Sequence, residues 1–274
     1  MSSSDTPTIG RRAGESGGRG LFHRPVKPLK PRQALEIPNR YTIKDDDKGP
    51  YLTCLEAPEI KVRIDRNMAV TAGAAKKAEE GTIFLDGAAH SAPFLDLERR
   101  VYNLDHHEGC VRTFTLSTCE QALVLVSRGL DLREKPWQLF ANEPDLDTVL
   151  AIWVLLNSMH LGPNDHAIRE IVVPLVRLEG VIDTHGLEMA ELTGFSHEHL
   201  EATSKALGHL REPELQHKKE GEWEKTEALD FVSDQLQSID RMVYPVDYFE
   251  AFRGIEELSK VEISDNRIAV VCRC

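Results

Sequence analysis

The chain has 274 residues, 41% of them hydrophobic, with a formal net charge of −12. That length is enough for one large core or for a core domain plus a smaller appendage, and no run of about eighteen apolar residues offers a membrane span. The first 32 residues carry seven Lys/Arg against Asp5 and Glu15, leaving an acidic body of about −17 that repels long polyanions and attracts metal cations.

Residues 1–45, rich in Gly, Ser, Pro and Arg at their start, read as a disordered basic tail, because so few apolar side chains cannot offset the entropy of ordering. "KDDDKGP" (Lys44–Pro50) reads as a solvated turn. "TAGAAKKAEEG" (Thr71–Gly81) is Ala-rich and closes on glycine, the pattern of a helix with its C-cap. "TIFLD" (Thr82–Asp86) and "RVYNLDHH" (Arg100–His107) are short apolar runs tipped by acids. "STCEQALVLVSRGL" (Ser117–Leu130) has a capped start and an apolar stripe, hence a helix. "WQLFANEPDLDTVLAIWVLLN" (Trp137–Asn157) reads as strand, loop and buried helix, with "NEPDLD" in the loop. "REIVVPLVRLEGVIDTHG" (Arg169–Gly186) ends in a further acid-tipped segment. Beyond it lie two charged amphipathic helices, a third expected helix in "YPVDYFEAFRGIEELSK", and two short strands around a turn in "VEISDNRIAVVCRC".

Strands alternating with helices imply an α/β fold with a mostly parallel sheet flanked by helices over 46–190, followed by a smaller helical, α+β region over 191–274. In such sheets ligands collect outside the carboxyl ends of the strands. Asp86, Asp105, His106, His107, Asp145, Asp147 and Asp183 would all be delivered to that edge. Crowded carboxylates repel one another unless cations neutralise them. A mixed Asp/His set suits Mn²⁺, Fe²⁺, Co²⁺ or Zn²⁺ better than Ca²⁺. Two such cations activate water and neutralise charge developing on phosphorus.

The five cysteines, Cys54, Cys110, Cys119, Cys272 and Cys274, form no CxxC pair, and their odd number argues against a disulfide framework. With no apolar h-region at the N-terminus, a reducing cytoplasm is the expected location.

"FLDG" at Asp86, "NLDHH" ending 21 residues on at His107, "GVIDTHG" at Asp183 and "ANEPDLDT" resemble the motifs of the DHH phosphoesterase superfamily, which includes manganese-dependent pyrophosphatases and exopolyphosphatases. The resemblance covers roughly residues 80–190. It implies a metal-dependent phosphohydrolase with two Mn²⁺, or Co²⁺ or Mg²⁺, per chain, acting on a small phosphorylated substrate such as pyrophosphate, polyphosphate or a nucleotide. Carried over by position, Asp86 would bridge the metals, Asp145 would bind the first, and Asp147, His106 and Asp183 the second. His107 would contact the substrate phosphate or orient the nucleophile, and Asp105 would fix a histidine tautomer or approach the metal. Thr118 and Asn142 are candidate supporting contacts. The sequence departs from the family in two places. "NEPDLD" follows the DHH motif instead of preceding it, and Ala141 stands where the family has a metal-binding histidine; His90 and His185 are the nearest replacements in sequence. Arg241, Arg253 and Arg267 are candidate phosphate-binding cations. The alternatives are a non-catalytic binding or regulatory protein with an incomplete metal site and, third, a nuclease using the basic tail.

Overall fold

The computed structural model describes residues 38–162 and 165–244, and the backbone of 256–264 and 267–273. A mixed seven-stranded sheet forms the centre. Its strands are β1 (Tyr41–Asp46), β2 (Gly49–Cys54), β3 (Ala57–Ile64), β5 (Thr82–Leu85), β7 (Phe94–Asp96), β8 (Val101–Leu104) and β9 (Trp137–Ala141), in the order β1-β2-β3-β9-β5-β8-β7. The inner four, β3, β9, β5 and β8, run parallel, and β1, β2 and β7 are antiparallel additions at the edges. The parallel character is thus confined to the centre. Two-residue strands β4 (Val70–Thr71) and β6 (Ala89–His90) pair separately.

Strand alternation divides the core. Ile83 and Leu85 of β5, Tyr102 and Leu104 of β8, Leu139 and Ala141 of β9, and Ile60 and Val62 of β3 join the main cluster. The alternate residues Phe84, Val101 and Phe140 face a small second cluster with Ala75 and Ala89, as side chains on opposite sheet faces must. The main cluster is filled by α2 (Thr118–Ser127), α3 (Leu146–Leu156), α4 (His166–His185), α5 (His197–Glu220) and α6 (Ala228–Val243), every residue of α3 being buried. No helix of the described residues is long and apolar enough to cross a membrane.

"KDDDKGP" holds the β1–β2 turn, Gly49 taking a φ of 99° there. β1 begins at Tyr41, inside the stretch read as a tail, and residues 1–37 of that stretch lie outside the described residues. The helix expected over Thr71–Gly81 shortens to one turn, α1 (Ala72–Ala75), because the Lys-Lys-Ala-Glu-Glu that follows has no apolar face to bury. The helix expected over Tyr244–Lys260 is a strand from Glu256: β10 (Glu256–Ser264) pairs antiparallel with β11 (Arg267–Arg273), while 245–255 lie outside the described residues. Asp183 does not tip a strand; it lies in the last turn of α4.

Candidate metal centre

β5 and β8 end side by side and set Asp86 and Asp105–His107 at the same edge. Asp86 continues the ladder, its N–H donating to the Leu104 carbonyl at 3.0 Å, and it adopts a φ of 45° that is uncommon for a residue with a side chain. Asp105 folds back on its own chain: its Oδ1 accepts the backbone N–H of His106 at 2.7 Å and of His107 at 3.0 Å, and lies 2.9 Å from His107 Nδ1. This turn sets the two imidazoles edge to face, ring centroids 4.4 Å apart, one buried completely and the other 37% exposed.

Two helix N-termini point at the same place. Ser117 caps α2 in a reciprocal box with Glu120, and the next two backbone N–H groups, of Thr118 and Cys119, donate to Asp147 Oδ2 and Oδ1 at 2.8 and 3.0 Å. Asp145 caps α3 by accepting the N–H of Thr148 at 3.0 Å. The hydroxyls of Thr118 and Thr148 grip the Asp86 carboxylate from either side, at 3.1 and 3.2 Å. Thr118, read as a supporting contact, therefore touches the site directly; Thr148 gave no sequence signal beyond an ordinary helical threonine.

His106 Nε2 lies 3.0 Å from Asp183 Oδ2, 3.4 Å from Asp86 Oδ1 and 3.7 Å from Asp147 Oδ2. His106 Nε2 and Asp183 Oδ2 are both buried, yet neither has a hydrogen-bond partner: they approach without the alignment of a donor and acceptor. Atoms that crowd together without bonding each other are arranged like ligands sharing a cation. Two such groups exist among the described residues, Asp86–His106–His107 and His106–Asp147–Asp183, each with donor atoms within 4.8 Å of one another. His106 belongs to both.

The electrostatics agree with the geometry. Burial alone would lower the pKa of His106, but Asp183, Asp86 and Asp147 outweigh it and raise it to about 10. Asp147 is pushed up to about 6 by burial and by the charges of Asp86 and Asp183. Burial, Asp86 and Asp147 hold Asp145 well above the carboxylate range. Against burial, the His107 and His106 donors keep Asp105 low, and His106 and Arg112 keep Asp183 low. Protons are doing what cations would do: neutralising a surplus of carboxylates.

The site opens into a cleft of about 260 Å³ lined by Asp86, Gly87, His90, His107, Glu108, Asn142, Glu143 and Asp145. The structure thus brings together Asp86, Asp105, His106, His107, Asp147 and Asp183. Asp145 stands on the cleft wall, outside both groups. His90 faces the same cleft near Glu108, and His185 is bonded to Thr184; neither joins a group. Ala141 is fully buried at the end of β9. The displaced "NEPDLD" reaches the edge because β9 inserts next to β5. Arg241 lies on α6 bonded to Gln237, Arg253 lies outside the described residues, and Arg267 is placed only as backbone in β11. The cation that does touch the cluster, Arg112, was not anticipated. Its Nη2 donates to Asp183 Oδ1 and to the Asp183 carbonyl, both at 3.1 Å.

Comparison with protein-family models, with curated proteins and with solved structures gives no match.

Proposed function

We propose that this chain is a metal-dependent phosphohydrolase of the DHH type, cleaving a phosphoanhydride or phosphoester of a small substrate. The observation that carries the reading is the approach of His106 Nε2 and Asp183 Oδ2, both buried and unpartnered, among Asp86 and Asp147. The donor set fits divalent transition metals: imidazole nitrogen with three carboxylates, in two overlapping groups. Mn²⁺ is the expected ion, Co²⁺ and Mg²⁺ its competitors, with His106 common to the two groups. When bound, such cations act as Lewis acids on phosphoryl oxygens and make water a better nucleophile at neutral pH.

The rest falls to the chain's own groups. Thr118 and Thr148 fix the Asp86 carboxylate, and the α2 amides fix that of Asp147, so ligand orientation is set before anything binds. Asp105 Oδ1, 2.9 Å from His107 Nδ1, is placed to accept a proton from it and so fix the tautomer of a ring that lines the cleft. Asp105, ahead of the opposing effect of burial, also raises the His107 pKa. The imidazolium can therefore carry a proton toward the leaving oxygen. The acid-walled cleft, about 260 Å³, suits a short substrate over a polynucleotide.

One observation favours a second reading, a non-catalytic binder. Ala141 supplies no donor and Asp145 stands outside both groups, which leaves one metal position poorly furnished.

The test is a phosphate-release screen of pyrophosphate, polyphosphate, bis-p-nitrophenyl phosphate and short oligonucleotides with Mn²⁺, Mg²⁺ and Co²⁺, alongside metal stoichiometry. Two Mn²⁺ per chain and release that EDTA stops and Mn²⁺ restores are expected, with Asp86→Ala and His106→Ala falling below detection while retaining the wild-type circular dichroism spectrum. Undiminished turnover in either variant rejects the site. One Mn²⁺ with no release selects the binder.

A further inference from the structure

We infer that Arg112 is the group that binds the non-bridging oxygens of a dianionic substrate phosphate at this centre, selecting terminal phosphates over diesters. The inference rests on the metal-site reading and adds a substrate class to it.

Charge favours such a group. The cleft beside the cluster is walled by Asp86, Glu108, Glu143 and Asp145, so an entering phosphate dianion meets like charge that a nearby guanidinium offsets. Among the described residues Arg112 is the only Lys or Arg in contact with the carboxylate of Asp86, Asp105, Asp145, Asp147 or Asp183. Arg66, Arg177 and Arg211 are engaged by Glu143, Glu120 and Glu179.

Its placement is built. Gly109, at a φ of 66°, passes so close to Ala92 that an added Cβ would lie 2.8 Å from the Ala92 Cβ, which pins the loop leaving the paired histidines. The loop then closes into a single 3₁₀ turn, Arg112–Phe114, held by Phe114 N–H to the Val111 carbonyl at 2.9 Å and Thr115 Oγ1 to the same oxygen at 3.0 Å. That turn projects Arg112 over the last turn of α4. Only Nη2 is used there; Nε and Nη1 have no partner among the described residues, and the side chain is 42% exposed. A guanidinium anchored by one nitrogen, with two donors left facing solvent beside the cluster, matches the paired oxygens of a terminal phosphate. A diester, with one negative charge and two oxygens esterified, offers less to such a fork.

The competing explanation is that Arg112 does no more than hold Asp183 and the α4 C-terminus. Binding of imidodiphosphate, a non-hydrolysable diphosphate, to the Mn²⁺-loaded full-length chain separates the two by calorimetry, with Mn²⁺ affinity measured in parallel. Arg112→Ala is expected to weaken imidodiphosphate about tenfold or more, with Arg112→Lys intermediate. Mn²⁺ affinity should stay within about threefold of wild type, and affinity for bis-p-nitrophenyl phosphate should fall by a smaller factor than that for imidodiphosphate. Imidodiphosphate affinity that survives Arg112→Ala, or that falls only in step with Mn²⁺ affinity, overturns the inference, as does a wild-type chain that takes up Mn²⁺ and no imidodiphosphate. If the wild-type chain binds imidodiphosphate through Arg112 yet releases no phosphate from any substrate, the hydrolase reading fails and the role of Arg112 stands.

Discussion

Glu179 sits one helical turn before Asp183, with one carboxylate oxygen accepting from Arg211 at 2.9 Å and the other buried without a partner. Burial raises its pKa from the usual carboxylate range to about 7, more than Arg211 lowers it. The folded protein therefore holds a proton on Glu179 that the unfolded chain releases near pH 4.5. The resulting stabilisation is fully present below that pH and is lost as pH rises through about 7, a span worth on the order of 3 kcal/mol. In EDTA, Glu179→Gln should thus gain stability relative to wild type between pH 5 and pH 8, read as a diverging urea midpoint; parallel curves would refute this. Such residues separate what the sequence discloses from what it hides. Asp86, His106 and Asp183 were legible because acids and imidazoles at the ends of apolar runs have few other reasons to be there. Glu179 and Thr148 were not, since their neighbours read as any buried helix, and Arg112 looked like any surface arginine. Distance to a carboxylate, not residue type, gives them meaning.

The contact between α2 and α4 shows the same division among elements. α2 was readable from "STCE", whose serine and glutamate form the reciprocal cap. The helical state of α4 was obscured by Ile171, Val172, Val173 and Pro174, a β-branched run with a helix breaker inside it. It folds as a helix because Ile168, Val172, Leu175, Val176 and Leu178 share one buried face, and that burial outweighs the hydrogen bond lost at Pro174. Gly180 lets α4 pass α2 this closely, since a Cβ there would lie 2.4 Å from the Glu120 carboxyl group, which Arg177 holds in place. Gly180→Ala is accordingly expected to destabilise the fold by about 1–3 kcal/mol through overpacking. Because α4 also carries Asp183, the variant should lose Mn²⁺ affinity as well; calorimetry finding wild-type affinity would show that the spacing of the two helices does not set the site. Ser117→Ala should cost about 1 kcal/mol in urea unfolding.

Across the molecule, a buried polar network joins the first described residues to the last helix of the core. Arg40 donates to both oxygens of Asp240, at 3.0 and 2.8 Å, and the same carboxylate accepts from Tyr41 and from Trp153 Nε1. Asn157 links Arg40 and Tyr244. Removing one partner strands a buried charge, so Asp240→Ala is expected to cost about 3–5 kcal/mol in equilibrium unfolding, far more than a surface pair. None of this was visible in the sequence, where positions 40 and 240 are ordinary charges two hundred residues apart. Strand order was equally hidden, because periodicity identifies strands without saying which lie together. That order has a temporal consequence. β9 fills the place between β3 and β5, although both are synthesised well before it. Until residue 141 has left the ribosome, the nascent sheet has a gap at its middle bordered by two unsatisfied edges, and His106 lacks Asp147 and Asp183 even longer. Such chains fold slowly and offer those edges to neighbours. Shortened polypeptides ending before α4 should therefore aggregate and take up no manganese, however intact their paired histidines.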